Sequence, residues 1–269
     1  MDFILTNILK KENTKTVFAS VLFLSLATGL GYHLGHIFGI STIKTGKHIT
    51  NYKMHNKKIR RLVYSFYKRK TFFMDDQIDS IMVSDFKKFV NGLKNDEEFD
   101  IVIETNGGSF SCGQMISNII SSYKGTVNAL VYNHAFSAGT LIALSCTNLY
   151  MHPNANLSPV DVIHCSFYDE VQLSSIKHVL DNKSGDRIDD KTFMLADQAT
   201  KCMKILDKIF VKIIKSRYDE QTSNLIKEEI FSGENYVHNT AFPVEHLKDI
   251  GIKIDLMNDE QIRKCKLVY

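Results

Sequence analysis

Apolar and polar positions alternate differently along three parts of the chain. Val17 to Ile40 reads VFASVLFLSLATGLGYHLGHIFGI, 24 residues without a formal charge. As a helix rising about 1.5 Å per residue it would reach roughly 36 Å, enough for a bilayer core with some tilt. His33 and His36 interrupt its second half, which centres the hydrophobic stretch on Val17 to Tyr32. The run is long for the apolar part of a signal peptide, and Lys44 and Lys47 follow without a small-residue cleavage site. An uncleaved membrane anchor is therefore expected, with lipid as its partner. Lys10, Lys11 and Lys15 precede it, but Lys44, Lys47, Lys53, Lys57, Lys58 and Arg60 follow it. That bias places the C-terminal part on the cytoplasmic side.

Residues 41–70 are polar and basic and suit a solvated juxtamembrane helix. From 76 to 95, Ile78, Ile81, Met82, Phe86, Phe89 and Leu93 recur at helical spacing. The period then shortens. Strand-like runs at Phe99–Glu104, Thr126–Tyr132 and Asn148–His152 alternate with helical patterns at Ser111–Tyr123 and Ala138–Cys146. This is a βαβαβ plan with a parallel sheet, and right-handed crossovers bring its two strand-to-helix turns to one end. A long amphipathic helix is expected over Thr192–Lys215. The expected organisation is a short N-terminal segment (1–16), a transmembrane anchor (17–40), a juxtamembrane segment (41–95), an α/β domain (96–257) and a tail (258–269).

Composition changes this picture little. The 269 residues are 44% hydrophobic and 23% charged, as in ordinary folded proteins, and a net charge of +3 is too small to indicate a nucleic-acid partner. Cysteines at 112, 146, 165, 202 and 265 form no CxxC pair or metal-ligand spacing, and read as free thiols of a reducing compartment. No GxGxxG fingerprint for a dinucleotide is present. No metal or other cofactor is expected.

Candidate chemistry lies in the two turns. Ser137-Ala138-Gly139-Thr140 puts a hydroxyl at a strand-to-helix corner, where following amides point at developing negative charge. Gly107-Gly108, thirty residues earlier, forms a second turn whose backbone N–H groups can approach the same oxygen because no Cβ intervenes. Taken singly, Ser137 is equally a helix cap and Gly107-Gly108 merely a turn. It is the pairing of the two within one βαβ unit that suggests an acyl-transfer site.

TNGG (105–108) with AFSAGTLIALSC (135–146) resembles the Clp-type peptidase and crotonase superfamily, and more narrowly the membrane-anchored serine dehydrogenase proteinase family. That family's pattern reads approximately HTPGG, AMSAGT-IALA, LGPVDPQ, a helical ADxxxK segment, wTHDyPi and a terminal LGL. Here stand ETNGG, AFSAGTLIALS, LSPVD (157–161), RIDDKTFMLADQATKC (187–202) and YVHNTAFPVEHLKDIGI (236–252). The similarity covers roughly 55–256. It departs at Asn106 for Pro, Ser158 for Gly, Val162-Ile163 for Pro-Gln, and Val237 and Asn239 flanking the histidine.

The resemblance implies a repeated β-β-α spiral, serine endopeptidase activity on proteins or peptides, a homo-oligomer and no cofactor. It implies Ser137 as nucleophile, with Gly107, Gly108, Ala138 and Gly139 around the oxyanion. For the base it leaves three arrangements. One is a Ser137–Asp161–His238 triad, in which the carboxylate could stand nearer the serine than the imidazole. Another is a dyad with Lys201, or with Lys204 or Lys183. The third uses His164, oriented by Asp161 or Asp169. His134, beside the nucleophile, suits packing or donation to substrate. Two other functions are compatible with the fold: an inactive peptide-binding scaffold, and a crotonase-like acyl-CoA enzyme.

Overall fold

The computed structural model describes residues 70–165, 170–184 and 188–266, so the expected anchor at 17–40 and nearly all of the basic stretch lie outside the described residues. Among the described residues no helix is long and apolar enough to cross a membrane. Lys68–Cys265 form one compact unit, so the expected helical entrance before residue 96 and most of the expected tail pack with the central domain.

The expected βαβαβ plan is present. Strand β1 (Lys70–Met74) leads to helix α1 (Ser80–Asn91), β2 (Phe99–Thr105), α2 (Phe110–Ser122), β3 (Val127–Ala135), α3 (Ala138–Ser145) and β4 (Asn148–Met151). β1 had no mark in the sequence pattern, because KTFFM is too short to show alternation. Asp79 caps α1 by accepting from the Met82 N–H, so the helix starts later than expected. Ile81 consequently faces water, 65% exposed, while Val83 and Phe86 are buried.

The main sheet runs β1-β2-β3-β4-β9, with β9 at Asp255–Leu256. Its neighbours are parallel throughout. Short β5 (Asn156–Leu157) continues beside the end of β3, and β8 (Phe242–Pro243) pairs antiparallel with β5. A separate hairpin joins β6 (Ile163–Cys165) to β7 (Glu170–Gln172). It leads into α4 (Leu173–Asn182) and the long α5 (Asp190–Phe210), which ends in a π-turn at Val211–Lys215. Helices α6 (Glu220–Ile226), α7 (Val244–Asp249) and α8 (Asp259–Lys266) complete the unit.

Alternation divides the sheet into two unlike faces. Phe99, Ile101, Ile103, Val127, Ala129, Val131, Leu149 and Met151 lie in the main core cluster with residues of α1, α2 and α3. Each such aliphatic or aromatic side chain contributes about 1.5–3 kcal/mol on burial. The register Asp100↔Asn128↔Asn148 puts a polar ladder on the other face. Asn148 donates to Asn128 at 2.9 Å, Asn128 donates to Asp100 at 3.0 Å, and Lys264 of α8 completes the row on Asp100 at 2.5 Å. Lys264 and Asp100 are both only 4% exposed, so α8 is held on the sheet by a buried, hydrogen-bonded ion pair.

All eight residues of α3 are buried. Its C-terminal carbonyls are gathered by Arg217, which donates to Leu144 O, Ser145 O and Cys146 O at 3.2, 3.1 and 2.6 Å. A cation at that end also complements the helix dipole. The expected helix 192–215 is present, begun two residues earlier by Asp189, whose carboxylate accepts from Thr192 N–H.

Candidate functional site

Strand β3 delivers Ser137 to a sharp corner. Phe136 N–H donates to Thr105 O, Gly139 N–H returns to Phe136 O, and the Thr140 hydroxyl donates to Ala135 O at 2.6 Å. Squeezed between these bonds, Ser137 adopts φ 52° and ψ −115°, a region that side chains other than glycine's avoid. Its side chain makes no capping hydrogen bond, although it occupies the N-cap position of α3. Ser109, at the start of α2, does cap, accepting from Cys112 N–H. Local geometry therefore does not support the helix-cap reading of Ser137.

Ser158 reaches this corner from the loop after β5. Its Oγ accepts from Ser137 N–H at 2.7 Å and donates to Pro159 O, while its own N–H donates to the Thr140 hydroxyl. The family pattern has glycine here, and glycine could not make the first bond. Gly139 allows close packing on the other side: a Cβ there would stand 2.6 Å from Thr105 Cγ2.

The glycine turn lies directly against the serine. Gly107 has φ +104°, and a Cβ on it would stand 2.9 Å from Ser137 Cβ and 3.4 Å from its hydroxyl oxygen. Gly108 has φ +150° and lies beside Ile78, which donates to Gly107 O and accepts from Ser109 N–H. The Gly108 N–H takes no part in that exchange. Ala138 opens α3, where the first-turn amides have no intrahelical acceptor. The Gly107-Gly108 turn and the start of α3 thus flank the corner at which Ser137 stands, 9% exposed.

Asp161 and His238, 77 residues apart in sequence, meet through His238 Nδ1 and Asp161 Oδ1. The aspartate side chain is 5% exposed and the imidazole 17%. Val160 N–H donates to Ile230 O, tying the aspartate's loop to the segment that carries the histidine. Gly233 lets that segment close in, since a Cβ there would stand 3.0 Å from Asp161 Cβ. Bonding through Nδ1 leaves Nε2 for another partner. Asp161 lies three residues beyond Ser158, on the loop that touches the Ser137 amide.

Sequence reasoning missed one further neighbour. Gln172 Nε2 donates to Asp161 Oδ2 at 2.5 Å and to Tyr236 O at 3.2 Å. Nothing in the local sequence marks it, because its two partners come from distant segments. Nearby, the Tyr236 hydroxyl donates to Glu229 at 2.7 Å, and this bond to a carboxylate pushes its ionisation up, assisted by burial.

The lysine candidates face solvent. Lys201 lies on the solvated face of α5, its side chain 69% exposed and paired with Asp197. A dyad needs an amine held away from water, and Lys201 does not provide it. Lys204 and Lys183 are exposed as well. His164 belongs to β6, its backbone paired with Val171, and Asp169 lies outside the described residues. His134 bonds Glu104 through Nδ1 at 2.9 Å and Asn106 through Nε2 at 3.0 Å, and packs on Phe136. Asn106 and Glu104 are both departures from the family's first-turn pattern, and both meet this one imidazole.

Two uncharacterised proteins of Methanocaldococcus jannaschii resemble the chain, at 26% identity over 192 residues and 25% over 178. These alignments cover 70% and 65% of this chain but 65% and 59% of the relatives, so the chain spans less than two thirds of the curated relatives it matches. Among solved structures, a variant of the 1510-N membrane-bound stomatin-specific protease aligns with TM-score 0.47 and 18% identity, covering 74% of this chain and 86% of that one. A ClpP1 variant from Listeria monocytogenes aligns with TM-score 0.49 and 15% identity, covering 76% and 99%. Residues 75–268 match the model of the ClpP-like SDH-type serine proteinases, and the chain belongs to that family.

Proposed function

We propose that this chain is a membrane-anchored serine peptidase with Ser137, His238 and Asp161 as its catalytic residues. The observation that carries this reading is the convergence of Asp161 and His238 on the loop whose Ser158 holds the Ser137 amide. Ser137 Oγ attacks the peptide carbonyl while His238 Nε2 takes its proton. Asp161 holds the Nδ1 side of the ring and offsets the imidazolium charge. The N–H groups of Gly108 and Ala138 stabilise the oxyanion, a type of contact worth about 10²–10³ in rate per donor. His238 then protonates the leaving amine, and a water molecule, deprotonated by the same imidazole, releases the acyl group from Ser137.

The apolar run at 17–40 anchors the chain, with residues 70–266 on the cytoplasmic side. Its substrates are extended protein segments near the membrane, bound along a strand edge beside Gly107 and Gly108. The unit adopts the β-β-α spiral of its family and works as a homo-oligomer.

A fluorophosphonate probe tests this reading on the full chain. The wild-type protein should label, Ser137→Ala should not, and His238→Ala and Asp161→Ala should each label at least about a hundredfold more slowly. Lys201→Ala should label at the wild-type rate. Labelling that survives Ser137→Ala, or a wild-type chain that never labels, leaves the peptide-binding scaffold in place of the peptidase.

A further inference from the structure

The Asp161–His238 pair stands just beyond the end of the β5–β8 ladder, Asp161 four residues after Leu157 and His238 four residues before Phe242. His238 follows the bend at 234–236 and Asp161 lies in the loop after β5, so side-chain contacts fix what the ladder and the Val160–Ile230 backbone bond leave open. One side chain touches both segments. The Gln172 amide uses its two protons on two acceptors, the Asp161 Oδ2 left over by His238 and the Tyr236 carbonyl two residues before the histidine. Gln172 is itself fixed, as the last residue of β7 paired with Ile163 and the residue preceding α4. Ser174, two residues on, donates to Gly233 O at 2.8 Å and holds the same segment without bonding the carboxylate.

We propose that Gln172 is a positioning residue that locks the Asp161 carboxylate and the Tyr236–His238 backbone into one frame and so keeps the imidazole aimed at Ser137. The role rests on the peptidase reading for its consequence, but the contact itself can be measured without turnover. The amide presents the positive end of its dipole to Asp161 and offsets part of the negative charge that the imidazole feels. Without that amide, Asp161 Oδ2 loses a donor and the Tyr236 carbonyl loses its tie to β7. The other ionisable groups among the described residues of this turn are Tyr236, engaged with Glu229, and the exposed Glu234. All of them remain in the variants below.

The test compares the full chain with Gln172→Met, which keeps the side chain's length and loses its donors, and with Ser174→Ala. Two quantities are read: the rate of probe labelling, and the His238 Nδ1–H resonance by histidine NMR, assigned with His238→Gln. In Gln172→Met the labelling rate should fall about tenfold or more. The Nδ1–H resonance should shift or broaden, because the Asp161 carboxylate it meets has lost the Gln172 donor. Ser174→Ala should leave that resonance where it is. An unchanged resonance in Gln172→Met overturns the proposal, whether labelling is retained or is lost together with thermal stability. Should that variant fail to fold, Gln172→Ala gives the same comparison. If the wild-type chain does not label, or Ser137→Ala still does, the peptidase reading fails, yet the His238 resonance continues to decide the role of Gln172.

Discussion

Replacing Ser137 by glycine and by alanine tests whether its corner stores strain. Both substitutions remove the hydroxyl, which makes no capping bond, so its loss weighs equally on each. They differ in Cβ alone. At φ 52° and ψ −115° a Cβ is held in a sparsely populated region at a cost of roughly 1–3 kcal/mol, which alanine keeps and glycine sheds. Against that, glycine adds about 0.4–1 kcal/mol of unfolded-state entropy and gives up about 0.8 kcal/mol from one buried methyl group. With midpoint values, Ser137→Gly comes out about 0.5 kcal/mol more stable than Ser137→Ala. The same alanine-to-glycine exchange in an unstrained buried strand, such as Ala129→Gly, should cost about 1.5 kcal/mol. The gap of about 2 kcal/mol corresponds to roughly 4–8 °C in Tm for a domain of this size. Thermal unfolding of the wild-type chain and these three variants measures it. If Ser137→Gly falls below Ser137→Ala by as much as Ala129→Gly falls below wild type, the corner carries no strain and the argument from its geometry fails.

Lys264→Met should lower stability by about 3–5 kcal/mol, because it breaks a buried, hydrogen-bonded ion pair with Asp100; denaturant unfolding of the variant is the check. Gly108→Ala would drive a Cβ to 2.4 Å from Ile78 O at a φ of +150°, so the glycine turn must shift. Its labelling by the serine probe should fall about a hundredfold or more through loss of one oxyanion donor, while His238 and Asp161 stay paired. Burial raises the Cys146 thiol to about 12, and its pair in depth, Cys265, to the same level. At pH 8 each carries roughly a thousandfold less thiolate than an ordinary cysteine. Iodoacetamide should therefore modify the partly exposed Cys202 well before either, as peptide mass mapping of the folded chain would show.

The parallel βαβαβ plan was legible because its strands are short β-branched runs and its helices begin at small-residue turns. Ile101, Val102 and Ile103 announce a buried strand, and Gly107 and Gly108 announce where it ends. The meeting of the two turns was legible too, since right-handed crossovers leave few other placements. What escaped was tertiary in origin. β1 is only five residues long and gains its identity from pairing with β2. Lys201 looked available in a motif, but which face of a long helix looks outward is decided by packing. Gln172 carries no signal because its partners lie 11 and 64 residues away. The choice of His238 Nδ1 as the carboxylate's partner is likewise a matter of loop placement, not of spacing.

The nucleophile's helix is gripped at both extremities, by the Ser158 hydroxyl at its head and the Arg217 guanidinium at its tail, and is sunk in the interior between them. It is a fixed anvil. The Asp161–His238 arm, by contrast, lies past the end of the short β5–β8 ladder and leans on side-chain contacts from a small hairpin. On the proposed peptidase reading, an effector would throttle turnover by dislodging that arm, leaving the serine's own geometry untouched.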